Sequence, residues 1–245
     1  MLAKRIIPVI LHKRGQMVKG RRYVADRVVG RALQAALIHA RRSVDELIIV
    51  DIQATTEQRG PDCALVSTLA GSCFSPLTVG GGVSTLDHIR DLLSAGADKV
   101  LIGSAATNID FLETASAKYG AQCIVVSIDV LGDRVYTHNA TRATEFDPVE
   151  YASLMSQVGA GELIVNDIAR DGMMSGYNLN LIRDLSESVS VPVIACGGCG
   201  TYPHMHEAIN AGASAVAAGS AWLFTDATPL AAARYLYAQG IEVRV

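Results

Sequence analysis

Two stretches of the chain set glycines and hydroxyls behind short apolar runs, an order that suits anion binding, and the second stretch repeats the first. Ser75-Pro-Leu-Thr-Val-Gly-Gly-Gly-Val-Ser84 leads on to Ala95-Gly-Ala-Asp-Lys-Val-Leu-Ile-Gly-Ser104. Val191-Pro-Val-Ile-Ala-Cys-Gly-Gly-Cys-Gly200 leads on to Ala211-Gly-Ala-Ser-Ala-Val-Ala-Ala-Gly-Ser220. Pro76, Gly81, Gly96 and Gly103 meet Pro192, Gly197, Gly212 and Gly219 at a single offset of 116 residues, as do Glu46-Leu47 and Glu162-Leu163, and Asp51-Ile52 and Asp167-Ile168. Glycines between a strand and a helix let backbone N–H groups reach an oxyanion, and the helix start adds a favourable dipole. Gly81 and Gly82 with Ser104, and Gly198 with Gly219 and Ser220, therefore read as two phosphate cradles, one in each repeat. Tight strand-to-helix turns are the structural alternative for a single such loop; the symmetric pairing favours phosphate. Asp171 and Gly172, close to another strand end, are assigned to the same phosphate-binding set.

A ligand carrying a phosphate at each end would place its middle between the cradles, where chemistry needs groups that give and take a proton. Asp129, closing Val126-Ser-Ile-Asp129, is the strand-end acid or base. Asp51 and Asp171 lie near other strand ends, and Asp51 suits a satisfied partner in the mouth as well as it suits catalysis. Aligning Ile6–Leu11 on Ile124–Asp129 sets Leu11 opposite Asp129, so the second carboxylate that symmetry would offer is a leucine. His12 is adjacent, but neighbouring strand residues point to opposite faces. Cys196-Gly-Gly-Cys199 matches C-x-x-C without a second ligand pair, and its glycines already belong to the turn. No metal and no organic cofactor is expected, since the glycine loops also lack the G-x-G-x-x-G dinucleotide form.

The elements that must position these groups alternate from end to end. Strand-like runs are 5–10, 46–51, 76–79, 99–102, 123–128, 162–166, 192–196 and 215–218, four in each half. Helical patterns between them include 29–41, 86–95, 110–118, 148–158, 179–188, 204–210 and 228–239. Parallel strands this rich in Val, Ile and Leu must be covered on both faces. Eight βα units in two equal halves close as a (β/α)8 TIM barrel of two pseudo-symmetric half-barrels, a single domain over residues 1–245. Three long connections, 13–28, 53–62 and 131–146, follow strand C-terminal ends and are expected to be lid or substrate loops.

A net charge of −3 with no concentrated basic face argues against nucleic acid or a membrane surface as partner. Five widely spaced cysteines suit a reducing compartment, and no apolar run is long enough for a signal or a membrane span, so a cytoplasmic protein is expected.

Ala3-Lys-Arg-Ile-Ile-Pro8, Val18-Lys-Gly20, Val79-Gly-Gly-Gly82, Ser127-Ile-Asp129, Arg170-Asp-Gly172 and Cys196-Gly-Gly198 together resemble the HisF family, the cyclase subunit of imidazole glycerol phosphate synthase, over essentially the full length. The resemblance implies ammonia from a HisH-like glutaminase docked at the barrel's N-terminal face, passage through the core, and a phosphorylated substrate at the C-terminal face. It places an ammonia gate at Arg5, Glu46, Lys99 and Glu162, a glutaminase-facing residue at Asp98, a substrate-holding loop lysine at Lys19 and a catalytic aspartate at Asp129. The gate residues suit a structural plug as well, because charges buried at strand starts need partners. Departures from the family are Leu11 for its first catalytic aspartate, Gly103 for an asparagine and Met173 for a threonine. These bear on the ordinary cyclase reaction and leave ammonia transit untouched. Leu11 together with Asn166 resembles divergent HisF-like proteins of surface-polysaccharide clusters, which implies ammonia delivery to a sugar amidotransferase making amidino sugars of O-antigen or a related glycan. A histidine-pathway cyclase and a non-catalytic scaffold activating the glutaminase are the alternatives.

Overall fold

The computed structural model describes residues 3–42 and 44–245, without the side chains of Ala25 and Asp26. In the first half, β1 (Arg5–Lys13), β2 (Gln16–Arg21), β3 (Val24–Arg31), α1 (Ala32–Arg41), β4 (Leu47–Asp51), α2 (Cys63–Ala70), β5 (Leu77–Gly80), α3 (Leu86–Ser94), β6 (Lys99–Ile102) and α4 (Ile109–Tyr119) follow in order. The second half runs β7 (Ile124–Leu131), β8 (Arg134–Thr137), β9 (Arg142–Ala143), α5 (Pro148–Val158), β10 (Glu162–Asp167), α6 (Leu179–Ser188), β11 (Val193–Cys196), α7 (Tyr202–Asn210), β12 (Ala215–Ala218), α8 (Ala221–Phe224) and α9 (Pro229–Ala238).

Eight of these strands close on themselves. Parallel pairing runs β10, β11, β12, β1, β4, β5, β6, β7, and β7 returns to β10. The result is the (β/α)8 barrel expected from the alternation, with helices filling the outside. Closure leaves no barrel edge unpaired, and the two-residue period of each strand sorts side chains strictly into inner and outer sets. Ile7, Val9, Ile48, Leu101, Val125, Ile164, Ile194, Ala215 and Ala217 pack as the inner core. The other strand residues meet the helices in two larger clusters. Helix starts are fixed by side-chain caps, with Asp62, Thr85, Asn108, Asp147, Asn178 and Thr228 each accepting from a first-turn N–H.

The sequence repeat is a register repeat. Leu47 pairs with Leu77 as Leu163 pairs with Val193, and Thr78 with Lys99 as Ile194 with Ala215. Leu11 pairs with Val50 as Asp129 pairs with Asn166. Leu11 and Asp129 are therefore true counterparts.

Two of the expected loops are hairpins instead. The connection over 13–28 folds as β2 and β3, because Arg14 and Gly15 turn the chain in left-handed conformations and Met17 and Val18 then bury their side chains. The connection over 131–146 contains β8 and β9. Helix α1 begins at Ala32 rather than at Val29, since Val29, Gly30 and Arg31 finish β3, and α7 begins two residues earlier than its pattern, at Tyr202. Helices α2 and α8 are additions to the expected helical patterns.

Gly81 has φ 106°, and a Cβ there would lie 2.3 Å from the Asp51 carbonyl oxygen; Gly240 has φ 81° with nothing within 4 Å. Gly240→Ala is expected to cost about 1 kcal/mol through backbone strain alone. Gly81→Ala is expected to cost at least roughly twice that, because backbone must move as well. Urea unfolding midpoints of the two variants test the difference.

Candidate functional site

At the N-terminal end of the barrel, four inward side chains meet. Arg5 Nη1 lies 2.6 Å from Glu46 Oε2 and 3.1 Å from Glu162 Oε1, and Lys99 Nζ lies 2.9 and 3.0 Å from the same two atoms. Thr78 Oγ1 donates to Glu46 Oε1 at 2.6 Å, a fifth member that no local pattern had indicated. Burial alone would lower the Arg5 pKa, yet the charges of Glu162 and Glu46 outweigh it and hold the guanidinium above its ordinary value. Every formal charge in the ring has two opposite partners, the condition for burying Glu46 at 2% side-chain exposure. Asp98 sits exposed on the same end, its carboxylate accepting from the Leu77 N–H at 2.8 Å.

At the opposite end the strand termini surround a cavity of about 790 Å³. Its wall collects Gly81, Gly82, Ser104, Asp171, Gly172, Gly198, Gly219 and Ser220, the whole expected phosphate set, together with Lys19 and Asp129. Ser104 is the first residue of a short 3-10 turn and Ser220 is the N-cap of α8, so in both halves the hydroxyl stands at the start of a short helical turn. The symmetry extends to two histidines: the Ser84 N–H donates to His88 Nδ1 and the Gly200 N–H to His204 Nδ1. The cavity floor includes Val9, Ile48, Leu101, Ile164 and Ala217. Ile48, Leu101 and Ile164 stand two residues above Glu46, Lys99 and Glu162 on the inner face of their strands, so one layer separates cavity from ring.

Asp129 lines the cavity. Its Oδ1 accepts from Tyr23 Oη at 2.8 Å and from Ser127 Oγ at 3.2 Å. Burial raises its pKa to about 6, against the lowering by those two hydrogen bonds. Tyr23 Oη also accepts from Asn166 Nδ2 at 2.5 Å. Burial first, then the charge of Asp129, push the Tyr23 phenol well above its usual range, so it stays a donor. Lys19 is 7% exposed, with its ammonium against Gly219 where any Cβ would collide with it. Burial pulls its pKa down, and the carboxylate of Asp171 offsets part of that.

Leu11 and Val50 pack at the top of the inner core, so the counterpart of the Asp129 and Asn166 pair is apolar. His12 is buried outside the mouth, accepting from the Gly15 N–H. Asp51 also lines the cavity, and it accepts from Arg59 Nη2 at 3.1 Å and from the Gln53 N–H at 3.0 Å. Burial pushes the thiols of Cys196 and Cys199 up to about 12 and about 11. Among the described residues no three His, Cys, Asp or Glu side chains converge as a metal site would require.

The hairpins supply what sequence reasoning missed. Tyr23, at the tip of β2–β3, crosses to the second half; Arg22 beside it donates from N to Asp171 O at 2.9 Å and from Nε to Ala169 O at 3.1 Å. His138, after β8, crosses the other way and its N–H meets Ser104 Oγ at 2.8 Å. Each half is thus capped by the hairpin of the other. The only sequence signal for this was the length of the two connections.

A closed parallel barrel with its polar groups on the strand C-terminal face is the architecture of (β/α)8 barrel enzymes. Residues 5–228 match the family model described as histidine biosynthesis protein, and the chain belongs to that family. The family contains HisF, and its barrels are enzymes of the HisA and HisF type. No described helix is long and apolar enough to cross a membrane.

The folded protein keeps Asp129 protonated to about pH 6, whereas an unburied aspartate ionises near 3.8. Ionising it therefore removes stability as pH rises through that window, by up to roughly 3 kcal/mol. Asp129→Asn is expected to raise the thermal midpoint at pH 8 and to lose that gain at pH 4, read by differential scanning calorimetry.

Proposed function

We propose that this protein is a HisF-like synthase subunit that receives ammonia from a HisH-like glutaminase through the barrel and delivers it to a phosphorylated or sugar acceptor. The acceptor we favour belongs to amidino-sugar formation in O-antigen or a related surface glycan, with a sugar amidotransferase as a further partner. One observation carries the reading: the floor of the C-terminal cavity stands a single layer above the ring of Arg5, Glu46, Lys99 and Glu162. Side chains between ring and mouth are apolar, among them Ile7, Val125 and Ile194. Such a lining admits neutral ammonia and opposes ammonium, whose unpaired charge is costly to desolvate. The ring would act as the gate, Asp98 would face the glutaminase, and Lys19 and the two glycine cradles would hold phosphate.

Asp129 supports a second reading, the cyclase of histidine biosynthesis, because its pKa of about 6 suits proton transfer near neutrality. Leu11 weighs against it, since ring closure then lacks the opposite carboxylate.

The purified chain, given the histidine-pathway bisphosphate and excess ammonium salt, is expected to turn over at least about a hundredfold more slowly than a HisF that keeps the first-strand aspartate. With a HisH-like glutaminase it is expected to form a heterodimer in sedimentation. Glu46→Gln, which weakens the ring without adding a buried cation, should leave ammonium-supported residual turnover in place and lower the glutamine-supported part. A rate equal to that of an ordinary HisF would return the protein to histidine synthesis; failure to bind the glutaminase would reject the ammonia reading.

A further inference from the structure

The mouth holds a hydroxyl of its own at its most polar point. Tyr23 Oη donates to Asp129 Oδ1 at 2.8 Å and accepts from Asn166 Nδ2 at 2.5 Å. A group held this way must be neutral and must both give and take a hydrogen bond. A carboxylate would be repelled by Asp129, and an ammonium has no lone pair for the Asn166 N–H. The pattern is that of an alcohol.

Asn166 adds an independent sign of a ligand. The residue is 9% exposed, and its Oδ1 has no hydrogen-bond partner among the described residues. Buried acceptors of this kind are rare and costly. Oδ1 is packed against Gly197, where an added Cβ would be 2.3 Å away, so only glycine fits beside it. Gly197 adjoins the Gly198 cradle. A ligand anchored there would reach the Asn166 amide on its way to Asp129.

Tyr23 reaches this point from the hairpin tip, and its own backbone N–H bonds the Asp171 carboxylate beyond β10. Arg22 and Tyr23 have φ 52° and 62°, left-handed conformations that strain residues with a Cβ. The tip is tied to the second half by Arg22, through the backbone of Ala169 and Asp171, and by the Tyr23 N–H to the Asp171 carboxylate. A turn of the Tyr23 side chain withdraws the phenol while this backbone anchor, the cradles and Asp129, which belong to the strand ends, stay in place.

We propose that Asp129 and Asn166 form a subsite for a hydroxyl of a phosphorylated polyol or sugar, and that Tyr23 is its built-in occupant, displaced when such a ligand enters. The ligand class rests on the phosphate reading of the cradles given above. The apolar counterpart, Leu11 and Val50, offers no such subsite, so the ligand is recognised in one orientation.

Calorimetric titration of the wild type and of Tyr23→Phe with D-ribose 5-phosphate and with inorganic phosphate tests this. Removing the competing hydroxyl should tighten D-ribose 5-phosphate binding by about ten- to a hundredfold, the worth of a hydrogen bond to a charged group. Inorganic phosphate, which needs only the cradles, should change by less than about twofold. Adding Asn166→Leu to Tyr23→Phe should abolish the gain. Unchanged or weaker sugar phosphate binding by Tyr23→Phe, with inorganic phosphate still bound, would overturn the exchange alone. No binding of inorganic phosphate to either protein would overturn the phosphate reading and this proposal with it.

Discussion

Two carboxylates inside the bottom of a closed barrel, Glu46 buried and Glu162 largely so, must be neutralised where they stand, and the ring of Arg5, Glu46, Lys99 and Glu162 is how this chain does it. The four residues come from the starts of β1, β6 and β10 and from the residue before β4, and their side chains must reach one level for the ion pairs to close. A slip of one residue in any of these strands would turn its charge out of the barrel and an apolar residue in, leaving the remaining charges buried and unpaired. The ring therefore helps to hold the strand registers. Everything above it inherits those levels: apolar side chains one step up, and the polar mouth at the top.

The mouth shows how a duplicated half-barrel comes to treat its two sides differently without moving its backbone. Val50 and Asn166 are counterparts, as are Leu11 and Asp129, and their pairings are equivalent. One half presents two apolar side chains; the other presents a carboxylate and an amide. Only the second needs outside hydrogen bonds when buried, and the cap that supplies one, Tyr23, comes from the hairpin of the first half. Ser104, in the first half, is met in turn by the backbone of His138 from the second. Crossed caps of this kind tie the two halves together at the rim as the ring does at the base.

Most of the barrel was legible in the sequence because its determinants are local and repeated. Short apolar runs at a constant offset marked the strand positions to within three residues, the largest misses being the C-terminal ends of β1 and β7, and the alignment of Leu11 on Asp129 matches equivalent pairings in the registers. The glycine turns were legible for the same reason, since the positive φ at Gly81, Gly82, Gly197 and Gly198 is a local requirement. The hairpins were hidden by their composition. Lys13–Val28 is rich in Arg and Gly with no sustained alternation, so length was its only visible property. Tyr23 and Thr78 were illegible for a different reason: their roles depend on contacts 106 and 32 residues away in the chain, which no local pattern encodes.

Cys196-Gly-Gly-Cys199 shows the same distinction between pattern and place. Its spacing matches a redox or metal motif, but its glycines are required by the barrel. A Cβ at Gly197 would strike Asn166, and one at Gly198 would lie 2.2 Å from the Gly176 carbonyl oxygen. In the first half Gly81 and Gly82 meet the backbone of Asp51 and Arg59 just as closely, with no cysteine on either side. Two glycines at this turn are thus explained by close backbone approach in both halves. The thiols that flank them in one half, held protonated by burial at neutral pH, have neither the thiolate character that redox exchange needs nor partners for a metal among the described residues.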